Sequence, residues 1–140
     1  ASRPHFRAEL EAKLVQRGYP EEEIAAALDR LAAEGYLDDV KTARGFVAHR
    51  LERKAEGRLR LKAELIRRGA SEEAVAAALA EVPEDDLEAA REAAAKWSRS
   101  HRPDPAALAR HLARKGFSRH AIFAVSNLDG ALDEGLDEDL

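Results

Sequence analysis

Several residue types are absent from this 140-residue chain or scarce in it. There is no Cys and no Met, and aromatic residues make up only 5% of the sequence. Without thiols the chain can form neither a disulfide framework nor a thiolate metal site. No run approaches the roughly 18 consecutive apolar residues that a membrane span requires, and the first residues do not show the charged n-region and apolar h-region of a signal peptide. We therefore expect a cytoplasmic protein that has no contact with a membrane.

The residue patterns of common enzyme sites are also missing. Neither the phosphate-binding G-x-x-x-x-G-K-[ST] loop nor the dinucleotide-binding G-x-G-x-x-G loop occurs, and no two His residues have the i, i+4 spacing of a helical zinc site. Asp38, Asp39, Ser71 and Ser118 stand where helices are predicted to begin, and capping of free backbone N–H groups explains them better than catalysis. We predict that the protein is not an enzyme and has no catalytic residue, cofactor or metal.

What the sequence does contain favours α-helices. Charged residues make up 36% of the chain and Ala occupies 30 positions, and Ala, Leu, Glu, Lys and Arg are strong helix formers. One phrase occurs three times, in which two Leu residues four apart are followed by a Gly and then by a β-branched residue. A basic residue precedes each Gly, so a short helix is predicted to end there. The three copies are Leu10, Leu14, Gly18, Ile24 and Leu28; Leu61, Leu65, Gly69, Val75 and Leu79; and Leu108, Leu112, Gly116, Ile122 and Val125.

The predicted fold is all-α and consists of tandem three-helix repeats. Each Gly is followed by a helix-start signal, and longer helices are predicted from Asp38 to about Ala55 and from Glu84 to about Arg99. Each repeat therefore has a long helix and two short ones, about eight helices in all. The first repeat lacks its opening helix, and because residue 1 is Ala we expect that preceding residues are missing. We place the repeats at residues 1–37, 38–82 and 83–128, followed by an acidic C-terminal tail at 129–140.

Charge is distributed in blocks, although the formal net charge is only −4. Residues 41–68 hold ten Lys or Arg against three Glu, and residues 96–120 hold seven against one Asp. Residues 70–95 and the tail are acidic. This pattern favours basic helix faces that bind an anionic partner, although charge blocks that neutralise one another on folding are an alternative. Trp97 lies beside Lys96 and Arg99 and could anchor that partner, but its place on an apolar helix stripe favours the core.

Four motifs follow one another in a distinctive order: Glu9-Leu10 with Lys13-Leu14, Glu34-Gly35-Tyr36-Leu37-Asp38-Asp39 with Ala43 and Phe46-Val47, Glu64-Leu65 with Arg67-Arg68-Gly69, and Lys115-Gly116-Phe117-Ser118 with Ile122. Their order and spacing resemble the RecX family, the bacterial regulators of the RecA recombinase. The resemblance covers about residues 3–128. Three departures are Lys41-Thr42-Ala43, where Arg-Phe-Ala is usual, Phe6, where Ser is a common N-cap, and Arg58 after Gly57, where Pro is frequent.

The resemblance implies a curved, elongated array of three repeats and a specific partner. That partner is the RecA filament on single-stranded DNA, and the protein would lie in the filament groove and inhibit ATP hydrolysis, strand exchange and co-protease activity. We expect a monomer that also binds single-stranded DNA weakly, and binding of duplex DNA is left open at this point. The expected contact residues are sixteen Lys and Arg residues of the second and third repeats: Arg44, Arg50, Arg53, Lys54, Arg58, Arg60, Lys62, Arg67, Arg68, Lys96, Arg99, Arg102, Arg110, Arg114, Lys115 and Arg119.

Two other functions are compatible with the residues. Short helices joined at a Gly resemble helix-turn-helix geometry, so the chain could be a direct DNA-binding module, although its overall acidity weakens that hypothesis. It could instead be a helical scaffold for another acidic partner. The acidic tail is most simply a solvated terminus; a second hypothesis is that it folds back on a basic face and lowers non-specific DNA binding.

Overall fold

The computed structural model describes residues 3–126, and every regular element in that range is an α-helix. This confirms the predicted all-α fold and the number of helices. The predicted long–short–short pattern is wrong in one respect. The helix Glu21–Ala33, predicted to be short, has 13 residues, whereas the helix Leu87–Ser98, predicted to be long, has 12. The acidic tail lies outside the described residues. The helices are α1 (Arg7–Gln16), α2 (Glu21–Ala33), α3 (Asp39–Arg53), α4 (Arg58–Arg67), α5 (Glu72–Leu79), α6 (Leu87–Ser98), α7 (Pro105–Arg114) and α8 (Arg119–Ser126).

The chain forms two compact units, and α3 and α4 each contribute residues to both. The first unit comprises the described residues up to Ala48 and Lys62–Glu81, and the second comprises His49–Leu61 and the described residues from Val82 onward. These divisions do not coincide with the repeat boundaries, which follow sequence similarity rather than spatial proximity. The boundaries 1–37, 38–82 and 83–128 therefore stay a prediction.

No helix within residues 3–126 is both long enough and apolar enough to cross a membrane.

Each unit has its own apolar core. In the first unit Ile24, Leu28 and Leu37 are buried, and the partly buried Leu residues of α1 pack against them. In the second unit the buried set combines four Ala residues of α6, α7 and α8 with Leu112, Phe117 and Ile122. The Ala side chains let the helix backbones approach closely around the three large residues.

The repeated Leu and Gly residues build the same helix end three times. Gly18, Gly69 and Gly116 have φ of +88°, +91° and +87°, values in the left-handed region that favours Gly. The amide after each Gly closes the turn by donating to the carbonyl of the second Leu of the phrase. Its donor–acceptor distances are 3.2 Å for Tyr19 to Leu14, 3.0 Å for Ala70 to Leu65 and 3.2 Å for Phe117 to Leu112. The prediction that a helix ends at each Gly is confirmed.

A carboxylate at the start of α3, and another at the start of α6, closes a loop of the same length in each unit. Asp39 accepts a hydrogen bond from the Ser71 amide at 3.3 Å and from the Arg7 amide at 2.9 Å. Asp86 accepts from the Ser118 amide and from its hydroxyl, both at 2.7 Å. Both pairs are 32 residues apart, and we call them the Asp–Ser clasps. Each clasp ties the first helix of a repeat to the N-terminus of its third helix.

The clasps alter the role predicted for Asp39. Asp38 caps α3 as expected, because its Oδ1 accepts from the Lys41 amide at 3.1 Å. Asp39 instead serves amides that are distant in the sequence. Ser71 and Ser118 are N-caps as predicted, since each hydroxyl accepts an amide three residues on at 3.2 Å.

Two glycines of the second unit bring backbone segments into direct contact. The Gly57 amide donates to the carbonyl of Lys115 at 2.8 Å, and the Leu59 amide donates to the carbonyl of Gly116 at 3.3 Å. A Cβ added to Gly57 would lie 2.1 Å from the carbonyl carbon of Gly116 and 2.4 Å from the Phe117 nitrogen. Only Gly allows this approach, which fixes Lys115 relative to the segment after α3.

Candidate functional site

A cleft in the second unit collects basic and aromatic side chains. Its volume is about 460 Å³, and we call it the basic cleft. Its walls come from the C-terminal end of α3 and the segment that follows, the C-terminal half of α6, the loop after α6, and α7 with its C-cap. The lining residues are Arg53, Lys54, Ala55, Glu92, Ala93, Lys96, Trp97, Arg99, Ser100, His101, His111 and Lys115.

The charge of the basic cleft is strongly positive. Five Lys or Arg residues face one carboxylate, Glu92. Within the described part of the chain none of these five cations forms a salt bridge. Burial lowers the pKa of Lys115, and the positive charges of Lys54, Lys96 and Arg60 lower it further against the opposing effect of Glu56. Cations held close together without a partner attract an anionic ligand.

An aromatic stack lies among these cations. The rings of Trp97 and His101 are parallel within 4°, with centroids 4.1 Å apart. His111 lies 6.2 Å from the Trp97 ring at a tilt of 33°. The Nδ1 of His101 is 2.7 Å from the carbonyl oxygen of Trp97, and because a carbonyl can only accept, Nδ1 is the donor. This hydrogen bond fixes the orientation of the imidazole ring on the indole.

Trp97 does not occupy the core position that its helical spacing favoured. It is half-buried and lines the basic cleft, whereas Ala90 and Ala93 of the same helix lie in the core. The alternative, a Trp beside bases at an anchoring surface, fits this placement. His101 and His111 were not predicted as site residues. The i, i+4 spacing of Trp97 and His101 at a basic helix end is the signal that could have identified the stack.

The electrostatic environment of His111 suits a neutral imidazole. Burial lowers its pKa from the usual 6.5, and the charges of Lys115, Arg114 and His101 lower it further. An anion in the cleft would raise the pKa again, because it favours the protonated ring. Within residues 3–126 no group of three or more His, Asp or Glu side chains is placed to hold a metal ion.

Of the sixteen predicted contact residues, five line the basic cleft: Arg53, Lys54, Lys96, Arg99 and Lys115. Lys62, Arg102, Arg110 and Arg114 are exposed elsewhere. Arg119 is also exposed, and its guanidinium lies 5.9 Å from the Phe123 ring. These five residues are therefore accessible to a partner, but they do not line the basic cleft.

The other six predicted contact residues are engaged within the protein. Their partners are Glu81 for Arg44 at 3.2 Å, Glu56 for Arg50 at 2.9 Å and for Arg60 at 3.4 Å, Glu64 for Arg67 at 2.8 Å, the Val82 carbonyl for Arg58 at 3.2 Å, and Glu9 for Arg68 at 3.0 Å. Cations with such partners have less to gain from an external anion, because the existing contact must first be broken.

Arg68 has the clearest structural role among them. Its guanidinium contacts both carboxylate oxygens of Glu9, at 3.0 and 3.3 Å, and lies 4.9 Å from the centre of the Phe6 ring. Glu9 in turn accepts from the Phe6 amide at 2.9 Å, so a fully buried Phe occupies the position where Ser is a common N-cap. The Arg68 side chain is only 14% exposed. Arg68 therefore stabilises the first unit.

The fold and the cleft together define a class, the tandem three-helix repeat protein with a positively charged groove. Family models for the first and second three-helix domains of RecX match residues 1–31 and 38–79. The chain is 39% identical to the regulatory protein RecX of Chromohalobacter salexigens over 87% of this chain and 84% of that protein. It is 38% identical to that of Ectopseudomonas mendocina over 99% of this chain and 89% of that protein.

Solved structures agree on the fold. The crystal structure of RecX from Lactobacillus salivarius superposes with a TM-score of 0.76 at 22% identity, covering 88% of this chain and 84% of that one. The chain belongs to the RecX family of regulatory proteins, which is not an enzyme family.

Proposed function

We propose that the protein is a negative regulator of the RecA recombinase and acts in the cytoplasm. It binds the RecA filament on single-stranded DNA in the filament groove and inhibits ATP hydrolysis, strand exchange and co-protease activity. Membership of the RecX family supports the choice of partner. The basic cleft supports the mode of contact.

The observation that carries the proposal is the set of five cations in the cleft without a salt bridge. Several other Lys and Arg residues of the described chain form salt bridges that neutralise their charge within the protein, as Glu81 does for Arg44. The cleft cations instead repel one another, and an anionic groove surface relieves that repulsion. If all five cations neutralise phosphates of a single strand, a plot of the logarithm of the association constant against the logarithm of the salt concentration has a slope of about −3.5.

The experiment is a titration of the protein into a cognate RecA recombinase on single-stranded DNA, with the ATPase rate as readout. We expect the rate to fall at sub-stoichiometric protein. A slope of about −3.5 corresponds to a roughly hundredfold loss of affinity between about 50 and about 200 mM salt. The double variant Lys96→Gln, Arg99→Gln should inhibit more weakly than the parent.

The matched control is Arg17→Gln, Lys41→Gln, which removes the same charge from exposed positions of the first unit. It should inhibit like the parent. Equal weakening by both double variants would show that net charge, rather than the cleft, governs inhibition. No inhibition by an excess of the parent protein would contradict the proposed function and favour a direct DNA-binding module or a scaffold.

A further inference from the structure

We propose that the basic cleft binds an unpaired nucleotide of a nucleic acid strand, with its base stacked on His101 and its phosphates on the surrounding cations. This inference rests on the proposed function and names the chemical group that the cleft recognises. It assigns the Trp97–His101 stack as a base-stacking subsite. The subsite would make the cleft distinguish unpaired bases from paired ones.

The Trp97–His101 stack occupies one face of the His101 ring. The ring centroids are 4.1 Å apart and the residue is exposed, so we assign its opposite face as the surface that a base would contact. The hydrogen bond from Nδ1 to the Trp97 carbonyl holds the ring in place before any ligand arrives. A base that packs on His101 extends an existing stack, and little side-chain freedom is lost on binding.

The charges around the stack match a nucleotide rather than an isolated aromatic ligand. Lys96 and Arg99 flank Trp97 on and just after α6, and Arg53 and Lys54 lie on the wall formed by the end of α3. A nucleotide in a strand carries a phosphate on each side of its base. Cations on two walls with an aromatic surface between them are the combination typical of sites for single-stranded nucleic acid.

Other anionic ligands would use only part of this site. A duplex keeps both faces of each base stacked on its neighbours, so it can contact the cations but not the open face of His101. An acidic peptide likewise gains nothing from the aromatic stack. A free nucleoside triphosphate has a base and phosphates but lacks the neighbouring nucleotides that reach the remaining cations.

The test compares two oligonucleotides of equal length and charge, one intact and one in which every base is replaced by an abasic site. At a single salt concentration the parent protein should bind the intact strand roughly tenfold more tightly, a ratio within the range measured for loss of one base–aromatic contact. The chain has one Trp, so fluorescence reports on the site directly. The intact strand should quench Trp97 fluorescence more than the abasic strand at equal saturation.

Variants of His101 separate stacking from charge. His101→Ala should reduce the intact-to-abasic ratio towards one, whereas His101→Phe should restore it, because either aromatic ring offers a stacking face. Lys96→Gln should weaken both oligonucleotides by a similar factor and leave the ratio unchanged. His101 is exposed, so these changes should leave the circular dichroism spectrum and the melting temperature unaltered.

Three results would overturn the inference. The first is an unchanged intact-to-abasic ratio in His101→Ala, the second is equal binding of single strand and duplex, and the third is tighter binding of free ATP than of the oligonucleotide. The ATPase titration distinguishes failure of this inference from failure of the proposed function. If the parent protein inhibits RecA but His101→Ala leaves the intact-to-abasic ratio unchanged, only the stacking subsite is refuted. If the ratio behaves as expected but the parent protein does not inhibit RecA, only the regulatory role is refuted.

Discussion

Replacing Gly57 by Ala should strongly destabilise the second unit, because backbone atoms already occupy the place of the added methyl group. The new Cβ would stand 2.1 Å from the carbonyl carbon of Gly116 and 2.2 Å from its oxygen. Ordinary contact between such atoms begins near 3.4 Å, so the two segments must separate by more than about 1 Å. A backbone cannot rotate away as a flexible side chain would.

The magnitude follows from what that separation disrupts. The amides of Gly57 and Leu59 lose their carbonyl partners, at about 1 kcal/mol for each hydrogen bond. Displacement of the packed backbone beside the fully buried Leu112 costs about 1–3 kcal/mol more, as overpacking does in other cores. We expect a loss of about 3–5 kcal/mol in the free energy of unfolding and a fall of roughly 10–17 °C in melting temperature.

Urea denaturation followed by circular dichroism measures this loss. The control is Gly45→Ala, where an added Cβ meets nothing within 4 Å and the residue lies inside α3. That variant should gain about 0.5–1 kcal/mol, because Ala forms helices better than Gly. If the free energies of unfolding of Gly57→Ala and the parent differ by less than about 0.5 kcal/mol, the backbone contact does not contribute the stability assigned to it. Because the same contact positions Lys115, ligand binding in the cleft should weaken together with stability.

Three further predictions concern single side chains. Asp86→Ala should lower the free energy of unfolding by about 3 kcal/mol, because it removes both charge-assisted hydrogen bonds from Ser118. Asp86→Asn should lower it less, and equal losses for the two variants in urea denaturation would contradict this prediction. Arg68→Met should lower the free energy of unfolding by about 2 kcal/mol, and Arg68→Lys should lower it nearly as much, because Lys cannot contact both carboxylate oxygens of Glu9. If urea denaturation shows that Arg68→Lys is as stable as the parent, the two-point contact is not what stabilises the unit. Burial and neighbouring cations lower the pKa of His111, so the unfolded chain binds a proton that the folded one does not. Stability should therefore fall as pH drops below about 6.5, and a urea midpoint measured against pH should decline less in His111→Gln; identical curves would exclude this role.

Features fixed by neighbouring residues could be predicted from the sequence. The helix ends at Gly18, Gly69 and Gly116 depend on a left-handed residue and a Leu within one turn, both of which are visible in the repeated phrase. The clasps could not be predicted, because Asp39 and Asp86 resemble ordinary helix-start acids. Their partners lie 32 residues away and are selected by tertiary packing.

The same limit applies to the candidate site. Charge blocks indicated sixteen basic residues, but the sequence did not show which would meet a carboxylate within the fold. Arg50 and Arg60 share Glu56, which is buried at 3% exposure, and nothing local indicates that acid as their partner. The Trp97–His101 stack is a local feature of one helix end, so it was within reach of sequence analysis and was missed.

The Asp–Ser clasps have a consequence for how such chains can change in length. Each clasp joins a carboxylate and a Ser of the same predicted repeat at the same separation of 32 residues. A gene duplication that copies a whole repeat therefore also copies both partners of its clasp, and a deletion of a whole repeat removes both. Neither event leaves one of these half-buried carboxylates without its Ser partner. Length variation in whole-repeat steps thus keeps each carboxylate with its Ser partner, whereas an insertion between the two partners lengthens the loop that the clasp must close.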